Sequence, residues 1–470
     1  MQERHIRSLL RTYVKRNGIK IMKKNMRENK ITEGVIWKQL LFFFFPLLLG
    51  TFFQQLYNTV DAVIVGRFVG KEALAAVGGA AAMIVNLFVG FFMGVSTGAT
   101  VTISQFYGGG GKKQVREAIH TAIAVSIAAG AVIMAIGLIW APAALEWMNT
   151  PIETMADSVI YIRIYFCGMI GNLIYNMGAG ILRAMGDSRR PLYFLIASCL
   201  VNIVLDIFFV IVLGLGVLGV GLATILSQLF SAVLVCVSLG RLEEDMRLRL
   251  REIRFQGWVV KRIISIGLPA GAQTLTYSLS NMIVQADVNY FGTATVAAWT
   301  AYSKIDSVFW MVISSFGIAV TTFVGQNYGA GLYKRVRSGV HQCLFMTVIA
   351  ALAISGVLLP AGKFLLGLFT KDQEVIVIGI EMMRFLVPFY ITYVCVEIFS
   401  GALRGMGDAL IPMLLSFGGI CVLRSGWLLV AVPVWNNMKT VMFSYPLTWI
   451  VTSVLFVIYY RIYVRRHKIA

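Results

Sequence analysis

The sequence predicts an all-α membrane protein, with twelve transmembrane helices in two parallel six-helix repeats. Composition is the first observation behind this fold class. Hydrophobic residues make up 58% of the chain and charged residues 13%, with a mean hydropathy of +0.78. Soluble domains carry about 25% charged residues. The second is a series of apolar stretches long enough to cross a bilayer, which takes about 20 residues. They fall at 35–66, 72–107, 116–141, 155–184, 191–213, 217–240, 259–291, 293–327, 335–360, 375–404, 410–433 and 439–462. The third is an internal copy. At an offset of 221, Gln105, Tyr107, Gly108, Arg116 and His120 recur as Gln326, Tyr328, Gly329, Arg337 and His341; Leu182–Asp187 recurs as Leu403–Asp408. Six spans per repeat is an even number, so both repeats enter the membrane the same way, about an axis along its normal.

Residues 1–34 are basic and polar. No short apolar core with a small-residue cleavage site follows them, so they read as a cytoplasmic tail attracted to anionic lipid and not as a signal peptide. Residues 35–240 hold the first six spans, 241–258 a charged cytoplasmic linker able to form a short amphipathic surface helix, 259–462 the last six spans, and 463–470 a second tail. Lys and Arg set the orientation. Of the 41, five fall on the opposite side (Arg67, Lys71, Lys363, Lys371, Lys439) and four well inside spans (Arg163, Lys304, Arg384, Arg424), and the rest lie in segments or at span ends on the side of the termini. By the positive-inside rule both termini are cytoplasmic, in a multi-pass protein of the cell membrane. The net charge of +19 is thus an orientation signal and no mark of nucleic-acid binding.

The first span carries Pro46, which removes a backbone hydrogen bond and invites a bend, and Asp61, a carboxylate at membrane depth. The fifth span adds Asn202 and Asp206, four apart and so on one helical face, and the sixth adds Thr224. Counted at about 1.5 Å per residue, these four side chains come out at similar height. Such a group suits a sodium ion, or a proton shared between two carboxylates; no other metal is implied. The second repeat has Leu423 and Trp427 where the first has Asn202 and Asp206, and packing symmetry alone would not place carboxylates on one side only.

Other polar residues within spans are Gln54, Tyr161, Asn172 and Asn176, for which an interhelical hydrogen bond and a substrate contact are both open readings. Asp287, Lys304, Asp306, Glu397 and Arg424 form a second set, with charges of both signs that permit internal pairing or a role in transport. The twin turns LRAMGD and LRGMGD place Arg183, Asp187, Arg404 and Asp408 at the cytoplasmic surface. There glycine stops a helix, and Arg and Asp are suited to holding neighbouring helix ends together. No GxSxG, HExxH or GxxxxGK[ST] signature occurs, so no enzyme is indicated. The six cysteines lie in apolar runs without CxxC spacing, and no cofactor is implied.

In LYNTVDAVIVGRFVG, VGQNYGAG, NIVLD and the paired LRAMGD and LRGMGD turns, the chain resembles the multidrug and toxic compound extrusion (MATE) family over residues 31–470. The resemblance implies a V-shaped pair of six-helix bundles, a secondary antiporter that exports cationic, amphipathic compounds in exchange for protons or sodium. It is closest to the branch of the DNA-damage-inducible F proteins, where coupling residues match Asp61, Asn202, Asp206 and Thr224. In that branch the bend point matches Pro46, and polar lobe-lining positions match Gln54, Tyr161 and Asn176. The coupling acid of NorM-like members falls at Tyr393 here, with Glu397 about a turn away. A single chain supplies both lobes, so a monomer suffices. Two other classes remain open at this point: a flippase for lipid-linked glycan precursors, and a non-transporting membrane enzyme or sensor.

Overall fold

The computed structural model describes residues 31–468, so the basic segment 1–30 and the last two residues lie outside the described residues. Twelve helical columns follow in order: α1 Ile36–Val69, α2 Lys71–Gly108, α3 Lys112–Trp147, α4 Ile152–Cys167 with Met169–Ala184, α5 Arg189–Val212 and α6 Gly216–Gly240. The second repeat comprises α7 Gly257–Tyr290, α8 Thr293–Gly329, α9 Tyr333–Gly367, α10 Gln373–Met406, α11 Leu410–Val434 and α12 Met438–Arg466. Ten of them are single helices long and apolar enough to span a bilayer, and α4 is an eleventh, bent by 49° at Gly168. The remaining one, α7, is as long but more polar, carrying Gln273, Asn281, Gln285 and Asp287. It packs along α2, which covers much of its length. Since α12 runs to Arg466, the tail expected from 463 begins as helix.

The linker differs from expectation. No amphipathic helix forms; one 3-10 turn, Leu250–Glu252, interrupts an otherwise irregular strap. Specific polar contacts hold the strap on α3. Arg116 forks onto Glu252 with bonds of 2.9 and 2.6 Å, Lys112 reaches Asp245 at 3.1 Å, and His120 Nε2 accepts the Arg249 backbone N–H at 3.0 Å. Met246 and Leu248 bury beneath it. A surface helix would point these groups outward, so local pairing wins over amphipathic periodicity.

The two repeats divide at the linker, yet their cores exchange helices. The first turns of α1 (Leu40, Phe43, Phe44 and Leu47) belong to the second-repeat core, where Phe44 stacks on Phe316 with centroids 4.0 Å apart. The last turns of α1 (Ile64, Val65) belong to the first-repeat core. Conversely, α7 starts in the first-repeat core with Val259 and Ile263, and ends in the second with Val284 and Val288. Pro46 therefore sits where α1 leaves one lobe for the other, inside a helix that stays unbroken from Ile36 to Ile64. The α2–α7 crossing is made by glycines: Gly94 and Gly98 lie against the backbone of Ile263, Gly267 and Gly271, leaving no room for a Cβ.

The lobes also meet at the end that carries the termini and the linker, called here the basic end. Gln105 Nε2 donates to the Gly405 carbonyl at 2.8 Å, and Gln326 Nε2 to the Ala184 carbonyl at 2.7 Å. These are the same bond made twice, related by the offset of 221. Arg262 braces Gln105 through its amide oxygen.

Candidate ion-coupling site and inter-lobe cavity

Three helices bring the predicted N-lobe residues together. On α1, Asp61 lies one turn before a π-helical segment, Val65–Val69; on α5, Asp206 lies immediately before another, Ile207–Val212. The two segments touch each other and α6. Such widened turns recur at functional sites because the inserted residue re-aims its neighbours. Asp61 is 9% exposed, while Asp206 and Asn202 are fully buried. With its amide nitrogen turned to the carboxylates, Asn202 donates to Asp61 Oδ1 at 2.9 Å and to Asp206 Oδ2 at 3.2 Å. Asp206 Oδ1 is buried with no donor among the described residues, and the two carboxyl groups face one another. Two like charges so close cannot both ionise, and a shared proton or a cation resolves the repulsion.

Thr224 reaches the same region on α6, but its hydroxyl donates to the Val220 carbonyl at 2.9 Å and binds neither carboxylate. Around Asp61 stand the phenols of Tyr57, Tyr161 and Tyr165, and Gln228 donates to Tyr165 at 3.2 Å. Of these only Tyr161 is legible in the sequence as a candidate. The available signals for the others were spacing: Tyr57 is four before Asp61, and Tyr165 four after Tyr161. Gln54 is exposed and takes no part. Among the described residues no group of three or more His, Cys, Asp or Glu gathers as a metal site would require.

The second set does not form the internal ion-pair network that its mixed charges permit. Asp306 accepts from Trp310 Nε1 at 2.6 Å and from the Tyr390 hydroxyl. Arg424 donates to Thr448 at 3.0 Å and to Asn281 at 3.4 Å, and lies 4.1 Å above the Tyr445 ring. Lys304 is exposed and Asp287 half-buried; neither is paired with another member of the set. Aromatic hydroxyls and indole N–H groups satisfy these charges locally, which a count of acids and bases does not reveal. Glu397 alone has an ion-pair partner, and it is Arg404 of the LRGMGD turn, at 3.9 Å.

The turns themselves divide their labour differently from expectation. Gly186 (φ +92°) and Gly407 (φ +101°) end their helices in the left-handed region, as expected. Asp187 caps α5 through the Arg189 and Arg190 N–H groups and pairs with Arg190 at 3.0 Å, while Asp408 receives Tyr459. Arg183 and Arg404 do not join those helix ends. They line a cavity of about 160 Å³ between the lobes, with Asn176, Glu397, Ser96, Thr100 and Thr321 on its walls. Asn172 stands behind it, accepting from Asn176 Nδ2 at its side-chain oxygen at 2.9 Å.

Comparison with known proteins gives one consistent result. The profile of the family described as MatE matches residues 46–208 and 269–425. The probable multidrug resistance protein YoeA of Bacillus subtilis (strain 168) is 27% identical over 401 residues, covering 83% of this chain and 86% of that protein. The probable multidrug resistance protein YpnP of the same organism is 25% identical over 437 residues, 93% of this chain and 97% of its own. A structure described as the outward-facing conformation of a multidrug resistance MATE family transporter of the MOP superfamily superimposes with a TM-score of 0.87. It is 22% identical and covers 93% of this chain and 98% of that one, a likeness of fold alone.

Proposed function

The chain belongs to the MatE family, whose members are secondary transporters and not enzymes, and from that premise we propose that it is an antiporter exporting amphipathic organic compounds, cationic ones included, in exchange for protons or sodium. The observation that carries the coupling half is the buried Asp61–Asn202–Asp206 cluster: two facing carboxyl groups bridged by one amide. Its amide offers two faces. With nitrogen inward it donates to both carboxylates, which then share a proton; with oxygen inward it joins them around a sodium ion. The orphaned Asp206 Oδ1 and the turned-away Thr224 hydroxyl favour the proton.

The basic end faces the cytoplasm, as the distribution of Lys and Arg supports, and the glutamine contacts close the protein on that side. Cation entry from outside removes net negative charge beside α1. That helix then moves about Pro46, the point where it passes between lobes, and the cargo's hold weakens. Each charge moving inward gains about 2.3 kcal/mol per 100 mV. One chain supplies both lobes and works as a monomer in the cell membrane, its basic residues 1–34 drawn to anionic lipid.

The test is dye efflux from proteoliposomes under imposed proton or sodium gradients. Asp61→Asn mimics a permanently neutral site: it should fold and bind dye but lose gradient-driven efflux to background. Full coupled efflux by that variant sinks the assignment.

A further inference from the structure

We propose that the floor of the inter-lobe cavity is a seat for an organic carboxylate, held by Arg183, so that the cargo includes amphiphiles bearing a carboxylate whether or not they are also cationic. The cavity walls come in pairs related by the offset of 221: Arg183 with Arg404, Thr100 with Thr321, and Asn176 with Glu397. Symmetry fails at the last pair. Arg404 has Glu397 at 3.9 Å. Arg183 has only Asn176 at the corresponding place, and that amide donates to Asn172 on its own helix, at 3.0 and 2.9 Å.

The neighbouring acid does not make up the difference. Asp187, four residues on, is taken by Arg190. Arg183 has no ion pair among the described residues, which sets it apart from Arg404; the Nε of each is buried without a partner. Two guanidinium groups thus face one carboxylate, leaving a single uncompensated positive charge. The Thr322 hydroxyl, fully buried and also without a partner, lines the same space.

Confinement strengthens the case. The reciprocal glutamine contacts close the basic end of the lobe interface that the cavity occupies. An unpaired charge away from bulk water calls for an anion or a hydrogen-bonding shell, and a guanidinium meets a carboxylate with two parallel bonds. Met93 and Ile318 on the wall supply apolar contact for the rest of an amphiphile. The export reading enters only in calling the ligand a cargo; the seat itself needs no gradient.

The experiment uses the full chain in neutral-lipid nanodiscs without an ion gradient. Binding of pyrenebutyrate is measured against its methyl ester and a pyrenebutyl-trimethylammonium analogue, with butyrate and inorganic phosphate as competitors. The acid should bind about tenfold or more tightly than the ester. Arg183→Gln should remove that margin, and so should Asn176→Glu, which installs the acid the first repeat lacks. Glu397→Asn should widen it. Equal binding of the ester or the ammonium compound overturns the proposal, as does an unchanged margin in Arg183→Gln. Competition by phosphate as strong as by butyrate shows an adventitious ion site and overturns it too. If Asn176→Glu fails to fold, the other two variants decide. Repeating the assay in Asp61→Asn separates this seat from the coupling assignment, since the margin should persist there whether or not efflux does.

Discussion

Asn202 is the residue on which the coupling pair turns, because its one amide serves two carboxyl groups. Removing it with Asn202→Leu keeps the volume and deletes both bonds, and should destabilise the protein by about 1–3 kcal/mol. Thermal unfolding of purified protein checks this. Asn202→Asp should cost more at neutral pH, since a third carboxyl joins two that already repel, and its deficit should shrink as pH falls. The acids and the amide were legible because polar side chains inside apolar runs are rare and expensive. Tyr57 and Tyr165 were not, in a chain that is 12% aromatic, because only the meeting of three helices turns a phenol toward Asp61. Asn176 and Glu397 were each noticed in the sequence but placed in separate groups. Their equivalence matters only once both are seen lining one cavity with the two arginines.

Among the elements, α2 and α7 are joined backbone against backbone at Gly94 and Gly98. Gly98→Val should force these helices apart and cost at least the ~1–3 kcal/mol usual for overpacking, read as loss of monodisperse protein and a lower Tm. The matching crossing of α1 and α8 is made through the Phe44–Phe316 ring stack instead, which side-chain rotation can break. The more movable of the two crossing helices is therefore the one that bears Pro46 and Asp61. The strap from α6 to α7 has its own pH response. Hydrogen bonds from Arg116 hold the Glu252 carboxyl below the ordinary glutamate range. Its contribution is full above about pH 4.3, the usual unfolded value, and is lost only as pH falls through the lowered one. Hydrogen-exchange protection across 241–256, taken relative to the intrinsic rate at each pH, should hold from neutral pH down to that range and then fall, whereas Glu252→Gln should be less protected throughout. Most span ends were legible to within about four residues from apolar length, but α3 and α9 run on to Trp147 and Gly367, well past the expected ends at 141 and 360. The strap and the π-helical segments were not, since each depends on partners supplied by other helices.

For the whole molecule, closure at the basic end includes one hydrogen bond made twice, beside the packing of Gly108 on the Gln326 backbone and of Gly329 on that of Gln105. Gln105→Ala and Gln326→Ala should each loosen it by about 0.5–1.5 kcal/mol, Gln105→Ala the more because it also releases Arg262. Thiol labelling of a cysteine placed at the basic end should accelerate in both variants and most in the double one. Rates unchanged from the parent protein in all three variants would exclude the contacts as a closing device. The two-repeat plan was visible in the sequence as an offset of 221, whereas the exchange of α1 and α7 between cores was not. Periodicity marks an apolar face but does not say which neighbour covers it. That exchange has a consequence for biosynthesis. The groove of α2 is covered by α7, and the first turns of α1 are covered by α8 and α9, so neither bundle is complete when the sixth helix leaves the ribosome. The nascent first half must wait in the bilayer with an open glycine seam until the second half arrives. A chain cut after α6 would leave that seam uncovered, whatever its capacity for transport.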